Sequence, residues 1–234
     1  MQLLRCAQKG ADVTKWAFLL AAIVLAAALA TIAFYKQEAE PVFGKYFNGS
    51  TYLQLNASIT NNFTIVTWVK YEYANTLGVI AAGGVGNNQH SGWYLGDGGE
   101  ITNKTACGIF SDERVGNYTA GWRFAEINQL GPGKWYQLAC VYNGSFVALY
   151  VDGKLANSTQ TPYRMLNTSI IQIGKRTSTF YLNGSVPTFA YFTGYIANLQ
   201  VYPLPLTQNE IMELYEGGIK SKPLSGVLIY ALNS

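Results

Sequence analysis

Two rules govern the hydrophobic positions along this chain, and they change over near residue 41. Residues 16–35 run for twenty positions without a charge. A helix of that length spans about 30 Å, the thickness of a bilayer core. Trp16 and Tyr35 stand at its ends, where amphipathic rings favour the headgroup level. Beyond residue 41 the period is two. Phe63–Tyr71 is β-branched and aromatic throughout, as a strand requires. Trp135–Tyr142 and Phe146–Val151 are joined by Asn143-Gly144, a hairpin signal. Asp152-Gly153 adds a second tight turn, because Asp-Gly accepts the positive φ such turns demand. Further strands are predicted over 51–55, 77–82, 93–95, 105–110, 170–173, 195–202 and 227–231. Many short strands between Gly and Asn turns predict an all-β antiparallel sandwich. One helix interrupts them. Thr207-Gln208-Asn209-Glu210 is a capping box, Ile211, Leu214 and Tyr215 share a face, and Gly217-Gly218 ends the helix. Glu210, Glu213 and Glu216 then belong to a solvated helix face rather than to a metal or acid–base cluster.

The charges around the apolar stretch orient it. Arg5, Lys9 and Lys15 precede it, whereas Lys36, Glu38 and Glu40 follow, so its N-terminal side is cytoplasmic and the remainder lies outside. This divides the chain into a leader (1–10), a hydrophobic transmembrane or filament-core helix (11–35), a linker (36–41) and the sandwich (42–234). Three fates of the N-terminus stay open. It is an uncleaved anchor, or a secretory signal cut near Ala28-Leu29-Ala30, or a filament helix. The third rests on Gln8-Lys9-Gly10-Ala11, which resembles the class III signal of archaeal type IV pilins. That resemblance implies cleavage between Gly10 and Ala11 and packing of the exposed helix with its sisters into a homo-oligomeric filament. Asp12 and Lys15 depart from the pilin pattern. Ala22, Ala26 and Ala30 lie on one helix face, where small residues let backbones approach closely.

Composition narrows the function. Only 12% of residues are charged, against about 25% in an ordinary soluble domain. With 16 Lys and Arg against 13 Asp and Glu there is no basic excess for nucleic acid. A single histidine, His90 in a polar loop, excludes most zinc sites and weakens any triad. No cofactor is implied. In place of charge the chain carries nine Asn-x-Ser/Thr sequons, at Asn48, Asn56, Asn62, Asn103, Asn117, Asn143, Asn157, Asn167 and Asn183. Its 17 Asn and 30 Ser and Thr would give about two by chance. Dense glycosylation would hydrate a surface that is poor in ions. Cys6 precedes the apolar helix and is cytoplasmic or removed. Cys107 and Cys140 both fall outside the membrane, as a disulfide closing a loop of about 34 residues or as two buried thiols.

Several segments carry a second resemblance. Phe47-Asn48-Gly49-Ser50-Thr51-Tyr52-Leu53 and Phe63-Thr64-Ile65-Val66-Thr67-Trp68-Val69-Lys70 look like the opening strands of LamG-like domains of the concanavalin A-like lectin/glucanase superfamily. Gly133-Lys134-Trp135-Tyr136-Gln137-Leu138-Ala139 and Leu149-Tyr150-Val151-Asp152-Gly153-Lys154 resemble the central strands of that family. Phe192-Thr193-Gly194-Tyr195-Ile196-Ala197-Asn198-Leu199-Gln200-Val201-Tyr202, then 206–217, resembles its closing signature. The resemblance implies a jelly roll of two packed antiparallel sheets, a fold that serves lectins, adhesion modules and hydrolases alike.

Hydrolases of this superfamily cluster acids on one strand, and retaining hydrolysis needs two carboxyls about 5–5.5 Å apart. No predicted strand here carries two acids on one face; Asp112 and Glu113 are adjacent and point oppositely. Asp97-Gly98-Gly99-Glu100 reads as a turn with too few oxygens for Ca²⁺. Trp68 and Trp135 are expected in the core. Trp93 and Trp122, flanked by Gly and polar residues, are candidates for stacking sugar at the rim, with Asp97 as a nearby acceptor. The expectation is a non-enzymatic surface protein: a pilin-like subunit displaying the sandwich, a membrane-anchored lectin, or a viral host-recognition protein. Its partners would be the membrane, sister subunits and surface carbohydrate.

Overall fold

The computed structural model describes residues 43–234 except 60–61, 74–77, 85–90, 99–102, 112–120, 163, 165–167, 176–179, 182–186, 189–190, 228 and 233–234. The leader, the apolar helix, the Gly10–Ala11 junction and the linker therefore lie outside the described residues, as do His90, Glu100, Asp112, Glu113, Asn117, Asn167 and Asn183. Among the described residues no helix is long and apolar enough to cross a membrane.

The elements are β1 (Lys45–Asn48), β2 (Leu53–Ile59), β3 (Phe63–Tyr71), β4 (Val79–Gly83), β5 (Ser91–Asp97), β6 (Lys104–Ser111), β7 (Gly121–Asn128) and β8 (Trp135–Tyr142). They continue with β9 (Phe146–Val151), β10 (Lys154–Gln160), β11 (Thr168–Ile173), β12 (Phe180–Tyr181), β13 (Pro187–Thr188), β14 (Thr193–Tyr202), helix α1 (Gln208–Glu216) and β15 (Ile229–Ala231). Two antiparallel sheets result. The first, sheet A, has the order β1-β14-β3-β8-β9-β10 with β15 also on β14; sheet B has the order β2-β11-β4-β5-β6-β7. The antiparallel sandwich expected from the strand pattern, and the jelly roll implied by the LamG-like resemblance, are thus present.

Alternate positions of each strand face inward, as the two-residue period dictates. Ile65, Val69, Leu138, Cys140, Leu149 and Ile196 of sheet A meet Ile80, Trp93, Leu95, Cys107, Ile109 and Ile173 of sheet B in one buried core. Phe63, at the start of β3, belongs to it, with ring centroids 5.6 Å from Trp93 and 5.9 Å from Tyr142. Cys107 of β6 and Cys140 of β8 are joined by a disulfide, with Cα atoms 5.3 Å apart, so the bridge ties one sheet to the other. At the far edges the sheets also meet. Asn157 Nδ2 and Thr159 Oγ1 of β10 each donate at 2.7 Å to backbone carbonyls of β7, those of Glu126 and Phe124. Edge carbonyls that could otherwise pair with a foreign strand are satisfied there.

The helix forms as its signals predict. Thr207 Oγ1 accepts from the Glu210 N–H, and the Glu210 carboxylate accepts in return from the Thr207 N–H at 2.7 Å. These bonds hold the Glu210 carboxyl below the usual carboxylate range. Gly218, at φ 72°, closes the C-terminus by donating to Tyr215 O. Ile211 and Leu214 are buried against Val66, Ala139, Val141, Ala148 and Tyr202 on the outer face of sheet A. Tyr215 stacks on Trp68 at 5.7 Å.

Candidate functional site

Three groups of side chains stand apart from ordinary packing. The first lies on the outer face of sheet B. Register places Ala82, Tyr94, Gly108 and Phe124 side by side across β4 to β7, with Phe110 and Trp122 paired in the next row. The Trp122 and Phe124 rings are stacked at 5.2 Å and 7°, and Phe110 lies 5.4 Å from Trp122. Gly108 makes this possible: a Cβ there would come within 2.3 Å of the Phe124 ring. Tyr94 and Phe124 are buried, whereas Phe110 and Trp122 keep part of their surface open. Trp122 thus lies on the outer face of sheet B with part of its ring open.

Trp93 does not. It is wholly buried between the sheets, with its indole over Gly83. The neighbouring glycines that resemble a loop in the sequence clear room for the ring inside the sandwich instead of exposing it. The reverse holds for two residues expected in the core. Trp68 and Trp135 are half-buried on the outer face of sheet A.

The second group occupies the part of that outer face beyond α1. Tyr46 of β1 pairs with Tyr195 of β14, Tyr195 with Lys70 of β3, and Lys70 with Trp135 of β8, forming one row across four strands. Ring centroids are 5.0 Å apart for Tyr46 and Tyr195 and 6.3 Å for Tyr195 and Trp135. Glu72 is exposed at the end of the row and accepts a hydrogen bond from the Tyr46 hydroxyl. This bond to the carboxylate pushes the Tyr46 phenol up to about 12. Beside it, the Tyr73 hydroxyl donates to Thr193 Oγ1 at 3.2 Å. Nothing in the sequence grouped these residues, because cross-strand register was not legible there.

The third group is internal. Asp97, predicted on a surface turn, ends β5 and is fully buried. Its carboxylate accepts from Thr105 Oγ1 at 2.8 Å and from Gln129 Nε2 at 3.0 Å, and the buried Tyr71 hydroxyl faces the same group. Burial raises its pKa to about 7 despite those donors. Asp97 is thus sealed away from any ligand at the rim. Among the described residues no group of three or more His, Cys, Asp or Glu could hold a metal.

A cleft of about 410 Å³ also opens beside the start of α1, between Phe146, Tyr150, Leu155 and Leu206. Its lining is mostly apolar, with Asn143 and Ser158 as polar members. Six sequon asparagines are described, Asn48, Asn56, Asn62, Asn103, Asn143 and Asn157, and all six are exposed. At Asn48 and Asn143 the side-chain oxygen accepts from backbone N–H groups two and three residues on, bonds that do not use the amide nitrogen.

The geometry has relatives. A heptameric SAP-like pentraxin from Limulus polyphemus superposes with a TM-score of 0.56 at 16% identity, covering 81% of this chain and 88% of that one. A putative carbohydrate binding protein from Bacteroides ovatus gives 0.54 at 16%, covering 82% of this chain and 52% of that one. The CBM40 of the Ruminococcus gnavus IT-sialidase, bound to α2,3 sialyllactose, gives 0.51 at 16%, covering 73% and 95%. No curated protein matches the chain. A family model does, over residues 47–212, from the first strand into α1. By that match and by its two-sheet architecture, the chain belongs to the concanavalin A-like lectin/glucanases superfamily.

Proposed function

We propose that this chain is a non-enzymatic protein of the cell exterior whose sandwich binds carbohydrate. The carrying observation is the stacked Trp122–Phe124 pair on sheet B with the open ring of Phe110 beside it. Flat aromatic faces stack on the C–H faces of pyranose rings, burying apolar area on both partners. The carbohydrate reported for the Ruminococcus gnavus neighbour supports the reading, as does the putative assignment of the Bacteroides ovatus one. Six exposed sequon asparagines and an inter-sheet disulfide fit an oxidising, glycosylating exterior. A glycan array probed with the intact chain tests it. At least one glycan should bind the wild type and be lost in both Trp122→Ala and Phe110→Ala; a blank array, or binding that neither variant changes, would overturn the proposal.

The same reading gives residues 11–35 the task of anchoring or assembling the displayed sandwich. The pilin-like version rests on Gln8-Lys9-Gly10-Ala11 ahead of the apolar run. Mass spectrometry of the native N-terminus separates the versions. A chain beginning at Ala11 supports the filament subunit, one retaining Leu3 and Arg5 supports the anchor, and one starting near Thr31 excludes both.

A further inference from the structure

The row Tyr46–Tyr195–Lys70–Trp135 lies on the sheet opposite the Trp122 cluster and takes no part in the function proposed above. Most of its neighbours on sheet A are aliphatic and roofed by α1. This row is not roofed: Tyr46 is 43% exposed, and Tyr195, Lys70 and Trp135 are half-buried. Folding gains little from leaving three large rings at a water boundary, so their alignment needs a reason.

The rings stand in single file. Tyr195 and Trp135 belong to strands separated by β3, which would put them about 9.6 Å apart at the backbone. Their centroids are only 6.3 Å apart, so the two rings lean together across Lys70. A strip one ring wide is too narrow for a protein partner. Fully burying an aromatic side chain hides about 150–250 Å², and three half-hidden ones fall well short of the roughly 800 Å² each partner contributes to a stable interface. The formal charges of the row also balance, because Lys70 is a member of it and the exposed Glu72 stands at its end. A strongly charged ligand would meet one repulsive group for each attractive one. An uncharged polyol meets an ammonium that donates, a carboxylate that accepts, and a Tyr46 phenol oxygen that accepts while its proton is held by Glu72.

We propose that this row is a second carbohydrate subsite, binding a linear uncharged oligosaccharide laid across strands β1, β14, β3 and β8. Successive sugar rings stack on Tyr46, Tyr195 and Trp135, while Lys70 and Glu72 take hydroxyls along the edge. The rings are turned 50° and 53° to one another, so the strip matches a chain whose sugar faces rotate from unit to unit rather than a flat ribbon.

Titration calorimetry of the intact chain with maltohexaose, mannohexaose, cellohexaose and chitohexaose tests this, with a sulfated hexasaccharide as the charged control. At least one uncharged hexaose should bind saturably, maltohexaose more tightly than cellohexaose. Tyr195→Ala and Trp135→Ala should each weaken that binding tenfold or more, and Trp122→Ala should leave it within twofold. Tyr46→Ala, on an edge strand, provides a variant that keeps its fold should Trp135→Ala lose it, and should weaken binding at least threefold. The proposal is overturned if no hexaose saturates, if cellohexaose or the sulfated control binds best, or if Tyr46→Ala and Tyr195→Ala are silent. Loss of binding in Trp122→Ala alone would leave the sheet B site standing and remove this one.

Discussion

The outer face of sheet A is two surfaces on one set of strands. Under α1 the strands present Val66, Ala139, Val141 and Ala148, small or branched residues that have no use for water and are closed over by Ile211 and Leu214. Four residues along the same strands from Val66 and Ala139, beyond the helix, they present Lys70 and Trp135, with Tyr46 and Tyr195 alongside. Each of these has a polar tip that can stay wet while its stem packs. The interior repeats the division. Behind the roofed half lie Phe63, Tyr142 and the disulfide; toward the open half, Tyr71, the residue after Lys70, faces the buried Asp97 cluster. A sheet face therefore records where it is covered, in side-chain chemistry as much as in shape.

The contrast can be broken from either side. The largest effect is expected at Asp97. An unfolded aspartate titrates near ~3.9, and in the folded protein burial lifts it to about 7. Between those values the folded chain holds a proton that the unfolded chain has released. The resulting stability is complete below roughly pH 4 and is lost as pH rises through 7, a change of about 4 kcal/mol. Asp97→Asn should flatten this dependence and leave the variant the more stable one at pH 8, with Gln129 turning its amide to accept; urea titrations between pH 4 and 8 measure it.

Next comes the bridge beneath the roofed half. Replacing Cys107 and Cys140 by Ser should cost about 3–4 kcal/mol, the chain-entropy value for a loop of this length. Chemical denaturation of the double variant against the oxidised parent checks it. Leu214→Ala removes part of the roof itself and should cost about 3 kcal/mol by the same assay. Smallest is Tyr195→Ala in the open row. It should lower stability by less than about 1 kcal/mol, although the same change is expected to weaken hexaose binding tenfold or more. A large loss of stability there would show that the open row serves packing and not recognition.

Sequence pattern reached the sandwich because inward positions alternate strictly in β3, β8 and β9, and turn residues sit between them. It reached α1 because Thr207 and Glu210 are three apart before an apolar face. It did not reach β7. There Trp122 and Phe124 face outward while Ala125 and Ile127 face in, so apolar residues stand on both faces and the period disappears. The tryptophans illustrate the same limit. Trp93 looked exposed because of its glycines, and Trp135 looked buried because it opens an apolar run. Which face a position occupies is settled by pairing register and by what packs above the sheet, neither of which is local. The sugar-binding candidates are therefore the least legible part of the chain. Tyr46 and Trp135 lie far apart in sequence and meet only through β14 and β3.

The bond from Asn157 to Glu126 sets an order of events. Its side-chain amide is both a sequon nitrogen and one of the ties that fasten β10 to β7. An enzyme that transfers sugar needs that nitrogen free and within reach. If the sequons are used, sugar reaches Asn157 most readily before the sandwich edge closes, whereas Asn48 and Asn143, which accept through their oxygens, keep their nitrogens open to a transferase afterwards. Occupancy at Asn157 would then serve as a clock, recording how long the nascent domain stayed ajar.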